Sequence, residues 1–142
     1  MRNLLIIFAA SLFSLTACAY EKPIEVNQLP VAATEFVKTY FADATVALAK
    51  EEVDDLVKTY EVMFNNGGKV EFRSNGEWKS VEYPMGLPAG IVPAQIMDYV
   101  TRTYPAQKVL KIDRDRRDYE IELDNRLDLK FNLQFQLIDI DD

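Results

Sequence analysis

Tyr60-Glu61-Val62-Met63-Phe64-Asn65-Asn66-Gly67-Gly68-Lys69-Val70-Glu71-Phe72-Arg73-Ser74-Asn75-Gly76-Glu77-Trp78-Lys79-Ser80-Val81 is the stretch whose reading decides the fold. Apolar and polar residues alternate through it, and two glycine-bearing turns break it into three runs, which is the pattern of an antiparallel meander. Taking Asn75-Gly76 as a two-residue hairpin turn pairs Arg73 with Trp78, Phe72 with Lys79 and Val70 with Val81. Tyr60, Val62, Phe64, Val70, Phe72 and Val81 then line one inner face. Glu61, Met63, Glu71, Arg73, Trp78 and Ser80 line the other.

The stretch returns 59 residues later, where Tyr119-Glu120-Ile121 matches Tyr60-Glu61-Val62, Leu129-Lys130-Phe131 matches Val70-Glu71-Phe72, and Ile140 matches Val81. Upstream segments match at an offset of 63, Pro30 with Pro93, Phe36 with Tyr99 and Val37 with Val100. The four-residue difference lies between Val46 and Tyr60. It predicts a longer charged hairpin loop at Glu51-Glu52-Val53-Asp54-Asp55. Pro30 and Pro93 suit helix starts, followed by the stripes Ala33, Phe36, Val37, Tyr40 and Ile96, Tyr99, Val100, Thr103. Pro105 ends the second helix by Tyr104. Thr45 to Lys50 and Lys108 to Asp113 carry apolar residues on both parities, so their facing is not given by period alone. Asn125-Arg126-Leu127 and Gln134-Phe135 stand where the first copy has glycine turns and predict departures from ideal turn geometry. The expected fold class is α+β, with two tandem units, 20–84 and 85–142, each one helix packed on a four-stranded antiparallel meander sheet.

Residues 1–19 read as an export signal. Arg2 precedes an apolar run from Leu4 to Leu15 that is shorter than the roughly 20 residues of a bilayer span. Leu15-Thr16-Ala17-Cys18 has the form of a bacterial lipobox, which makes Cys18 the lipidation candidate. Ala17-Cys18-Ala19 equally has the small residues of an ordinary signal-peptidase site. Either way the chain is expected in the periplasm or cell envelope, held to a membrane only through a lipid on Cys18, and neither route leaves a catalytic thiol.

Composition narrows the chemistry. The 142 residues include 23 Asp+Glu, 16 Lys+Arg and no His, for a net charge of −7. An acidic chain without a basic cluster does not suit nucleic acid, and the lack of His removes imidazole triads and zinc sites. Asp113, Asp115 and Asp118 superficially suggest a calcium loop, but Arg114, Arg116 and Arg117 interleave them and the glycine and terminal glutamate of such loops are missing. The cluster Glu51, Glu52, Asp54, Asp55 reads as a solvated loop rather than an acid–base pair. No catalytic residue, cofactor or metal is therefore assigned. The candidate partner-binding face is Met63, Glu71, Arg73 and Trp78, with Trp78 across from Arg73 as a cation–π pair or an anchor for an unidentified protein. A small-ligand or metal-binding envelope lipoprotein is the alternative.

Lys22-Pro23-Ile24 leading to Leu29-Pro30, Tyr60-Glu61-Val62 with Asn65-Asn66-Gly67, Val70-Glu71-Phe72, Asn75-Gly76-Glu77-Trp78, Tyr119-Glu120-Ile121 and Leu129-Lys130-Phe131 resemble the putative beta-lactamase-inhibitor-like, PepSY-like family of exported bacterial proteins. The resemblance covers nearly the whole chain after the leader. It implies tandem helix-plus-sheet units like those of the beta-lactamase inhibitory protein, whose inhibitory surface lies on its sheet face and protruding loops. It carries over no catalytic residue. A shared shape does not imply a shared target.

Overall fold

The computed structural model describes residues 19–142, so Cys18 and nearly all of the expected export signal, residues 1–19, lie outside the described residues. The elements run β1 (Tyr20–Ile24), a short 3-10 turn (Val26–Gln28), α1 (Val31–Tyr40), β2 (Val46–Asp54), β3 (Val57–Phe64), β4 (Lys69–Arg73) and β5 (Trp78–Glu82), then α2 (Ala94–Thr103), β6 (Val109–Arg114), β7 (Asp118–Leu123), β8 (Asp128–Asn132) and β9 (Leu137–Asp141). Among the described residues all nine strands form one antiparallel sheet in sequence order. This corrects the expectation of two tandem four-stranded units. β5 pairs with β6 through Ser80–Asp113, Val81–Ile112 and Glu82–Lys111, and the seam is extended by the Tyr83 amide donating to Leu110 O at 2.9 Å. Val81 and Ile112, both fully buried, join the inner faces of the two halves into one core. Separate units would expose that seam.

The helices lie on one side of the sheet. Ala33 and Val37 of α1 and Ile96 and Val100 of α2 are buried, while Phe36 meets Phe72 edge-on at 5.7 Å and Tyr99 meets Phe131 at 5.6 Å. Burying each phenylalanine contributes about 1.5–3 kcal/mol. Thr103, placed on the apolar stripe from sequence, is exposed, and Tyr104 at the helix end packs on the core in its place. Both helices begin directly after their proline, and the second ends by Tyr104 as expected.

The hairpin registers depart from the two-residue reading, with a physical cause. The Arg73 amide donates to Glu77 O at 2.8 Å and the Gly76 amide to Arg73 O at 2.9 Å, so the loop is Ser74-Asn75-Gly76. Three-residue loops close this way when their last residue is left-handed, and Gly76 has φ 87°. Phe72 therefore faces Trp78, and a bulge after it restores the Glu71–Ser80 and Val70–Val81 pairs. The second half repeats the geometry, with Phe131 opposite Leu137 and Leu129 opposite Ile140. Its turns do not depart from those of the first half. Arg126 (φ 69°) and Phe135 (φ 63°) take the left-handed positions held by Gly67 and Gly76, with matching hydrogen bonds from the Arg126 amide to Leu123 O at 3.0 Å and the Phe135 amide to Asn132 O at 2.9 Å.

Two further features escape simple periodicity. Bulges between Val46 and Leu48 and between Val109 and Lys111 shift the parity within β2 and β6, which explains their apolar residues on both parities. The extra residues at Glu51–Asp55 do not form a long loop. They lengthen β2 and β3 to 9 and 8 residues around an Asp55-Leu56 turn, because β1 covers the extension, pairing Tyr20 with Val53 through Ile24 with Ala49. Pro23 is tolerated because β1 is an edge.

Candidate protein-binding face

Among the described residues both helices cover the same side of the sheet, and the other side is bare. Strand alternation sends Lys50, Glu52, Glu61, Met63, Lys69, Glu71, Ser80, Lys111, Asp113, Glu120 and Lys130 to it. It is a lattice of opposite charges. Lys50 Nζ reaches Glu21 at 2.9 Å, Glu61 at 3.5 Å and Glu52 at 3.8 Å. Lys79 meets Glu71 at 2.8 Å, Lys111 meets Asp113 at 3.0 Å, and Lys130 meets Glu120 at 3.7 Å. Such exposed pairs contribute about 0–1 kcal/mol each. Their lattice is a weak stabiliser that a charged partner can exchange pair by pair. An open cavity of about 360 Å³ lies over the middle of the face between Glu61, Glu71, Lys79, Lys111 and Asp113.

The pKa directions follow the contacts. The hydrogen bond to Glu21 holds Lys50 above its usual range, against the opposing effect of desolvation. Burial works against Lys111, but the hydrogen bond and charge of Asp113 outweigh it and raise its pKa.

Of the residues singled out from sequence, Met63, Glu71 and Arg73 lie on strand positions facing this side. Met63 is 38% exposed beside Leu48, also 38% exposed. Trp78 is elsewhere. Its pairing with Phe72 turns it to the helix side, where its ring stands 6.4 Å from Phe36. The cation over it is Arg114 rather than Arg73, with the guanidinium carbon 3.9 Å from the ring centroid. Arg114 Nε also donates to Trp78 O at 2.7 Å. Sequence reasoning missed Arg114 because the contact crosses the β5–β6 seam.

Among the described residues the two acidic stretches are engaged in ion pairs and turn hydrogen bonds. Within β2, Glu51 and Glu52 point to opposite sides: Glu52 joins Lys50, while Glu51 accepts from Tyr20 Oη at 2.7 Å and lies 3.4 Å from Lys58. The hydrogen bond from Tyr20 holds Glu51 below its ordinary range and raises the tyrosine. Asp113 is paired with Lys111, and Asp115 accepts from the amides of Arg117 at 2.6 Å and Asp118 at 3.1 Å. Among the described residues no group of three or more acidic or thiol side chains is placed to hold a metal ion. No described helix is long and apolar enough to cross a membrane.

The profile of the family described as "Putative beta-lactamase-inhibitor-like, PepSY-like" matches residues 58–139. No match was found among curated proteins. Three solved structures share the fold. A Bacteroides thetaiotaomicron protein described as a "putative calcium-regulated periplasmic protein" is 54% identical, with a TM-score of 0.84 over 86% of this chain and 97% of that one. A Bacteroides vulgatus ATCC 8482 protein described as a "putative periplasmic protein" of the DUF2874 family is 48% identical, with a TM-score of 0.83 over 86% and 97%. Another from that organism, described as a "putative periplasmic protein of unknown function", is 32% identical, with a TM-score of 0.82 over 87% and 100%. With more than half its length matched by the family profile and full-length relatives at this identity, the chain belongs to the putative beta-lactamase-inhibitor-like, PepSY-like family.

Proposed function

We propose that the chain is an exported, non-enzymatic protein-binding module of the bacterial envelope, inhibitor-like towards an envelope enzyme, and that the bare face of its sheet is the contact surface. The observation that carries this reading is the one-sided build of the described residues: among them, one face of the nine-stranded sheet is left open and covered with exchangeable ion pairs. Flat polar faces of this kind suit protein surfaces of matching charge. The apolar leader with Arg2 and the periplasmic descriptions of the relatives support export. The two cleavage sites make Cys18 either a lipid anchor or a discarded residue, and an intact mass separates them. Affinity capture from a bacterial envelope extract tests the face. Met63→Ala with Glu71→Arg is expected to abolish capture, while Trp78→Phe, on the covered side, leaves it intact. Capture unchanged by the first pair would sink the interface.

A second reading is a response to calcium, favoured by the description of the 54% identical relative; Glu120, Asp128, Asp139 and Asp141 line one opening with Lys130, though among the described residues they are not already placed as a metal-holding group. Millimolar calcium raises the melting temperature if these acids bind it in the folded state. An unmoved melting temperature ends that reading.

A further inference from the structure

Asp113-Arg114-Asp115-Arg116-Arg117-Asp118 looks from sequence like a self-neutralising run. The fold unpairs it. The β6–β7 turn formed by these residues is brought by the β5–β6 seam beside Arg73 at the end of β4, so that Arg73, Arg116 and Arg117 line one open cavity of about 340 Å³ with Asp115. The acids nearby are committed elsewhere. Asp113 pairs with Lys111 at 3.0 Å. Asp115 uses its carboxylate to accept the Arg117 and Asp118 amides, which holds it below the ordinary aspartate range and gives the turn its shape. Arg73 reaches Glu77 only at 4.0 Å. Among the described residues neither Arg116 nor Arg117 has an ion-pair partner.

Arg73 is held in place rather than free. Its Nη2 donates to the backbone oxygen of Arg114 at 3.0 Å, and Arg114 is itself locked by its stack on Trp78 and its bond to Trp78 O. Desolvation first, and then the charge of Arg73, make protonated Arg114 less favourable than usual. Like charges are thus fixed near one another at one end of the sheet, in a chain whose net charge is −7. An anion would relieve that repulsion.

We propose that this end of the sheet is an oxyanion site for a phosphate-bearing ligand, with Arg73, Arg116 and Arg117 as the binding groups and the backbone carbonyl of Arg114 positioning Arg73. Guanidinium forks match the tetrahedral geometry of a phosphate group and bind it through charge-assisted hydrogen bonds. The site lies at the end of the sheet and shares Asp115 with the cavity over the open face, but Arg116 and Arg117 lie outside the protein-binding reading and Met63 and Glu71 lie outside this site, so variants at those positions keep the two separable.

Calorimetric titration with inorganic pyrophosphate at low ionic strength tests the site. Saturable binding is expected, weakened about tenfold in each of Arg116→Ala and Arg117→Ala, equally in Arg73→Ala, and unchanged in Lys38→Ala on exposed α1. Arg116 and Arg117 are exposed turn residues, so their variants keep the fold if Arg73→Ala does not. A parallel arm uses phosphatidylcholine vesicles with and without phosphatidylglycerol. Sedimentation with the anionic vesicles, lost in the same variants, assigns the phosphate to a lipid headgroup; pyrophosphate binding without sedimentation assigns it to a soluble ligand. Absence of binding in both arms, or binding indifferent to the three arginines, overturns the proposal.

Discussion

Gly76→Ala measures how tightly the first helix is seated on the meander. Gly76 has φ 87°, and a Cβ there would stand 2.9 Å from Pro30 Cβ, 3.0 Å from Ala32 Cβ and 3.1 Å from the Ala33 backbone nitrogen. Two terms add. The left-handed backbone costs an alanine about 1–2 kcal/mol, and crowding against the fixed start of α1 costs roughly 1–3 kcal/mol more, since none of those atoms can rotate away. Gly67→Ala supplies the control. Its φ is 89°, but its Cβ would meet only Pro84 Cγ at 3.9 Å, so it incurs the backbone term alone. Denaturant unfolding should place Gly76→Ala about 1–3 kcal/mol below Gly67→Ala, a difference of about 3–15 °C in melting temperature for a chain of this size. Equal losses in the two variants would refute the docking of α1 on the β4–β5 turn.

Leu56 tests strain at the tip of the long hairpin. It has φ 65° and is 86% exposed, so Leu56→Asn is expected to stabilise the protein by about 0.5–1 kcal/mol in thermal unfolding; a lower melting temperature would contradict this. Arg114→Ala removes the cation over Trp78 and the bond to its carbonyl, which predicts a loss of about 1–2 kcal/mol and a shifted emission from the only tryptophan. Unchanged emission would place the guanidinium elsewhere. Asp115 and Glu51 both have lowered pKa values, the first through backbone amides and the second through Tyr20. The stability they contribute is therefore present above the ordinary carboxylate range and lost as pH falls through their folded values. Asp115→Asn should flatten the acid limb of a stability–pH profile, and an unaltered limb would show that the turn does not depend on this charge.

Local features were legible in the sequence because their causes are local. Alternation in Tyr60 to Phe64 and Val70 to Phe72 marks strands, proline marks the helix starts, and Pro105 marks a helix end. Three kinds of feature were hidden. The loop closing at Gly76 is one residue longer than Asn-Gly suggests, and the bulge after it cancels the shift by Val70–Val81, so the inner residues of the meander came out right while Trp78 came out on the wrong side. Arg126 and Phe135 carry no mark of the left-handed turn they adopt, which the ladders around them enforce. The β5–β6 seam joins residues separated by the whole of α2, and from it come the single sheet, the Arg114–Trp78 stack and the arginine cavity. Of the four residues proposed for the candidate face, the three outside this error, Met63, Glu71 and Arg73, lie on strand positions facing the bare side.

The central claim is that the bare face of the sheet is the working surface. Ser80 sits near its middle, between Glu71 and Asp113, and Thr101 is exposed on α2 on the opposite side. In a chain beginning at Ala19, Ser80→Cys and Thr101→Cys each provide a single thiol for coupling to a polyethylene glycol chain. Binding of each conjugate to the partner captured from envelope extract is then measured by surface plasmon resonance. The account predicts that the Ser80 conjugate fails to bind and the Thr101 conjugate binds like the unmodified protein; full binding by the Ser80 conjugate would contradict it.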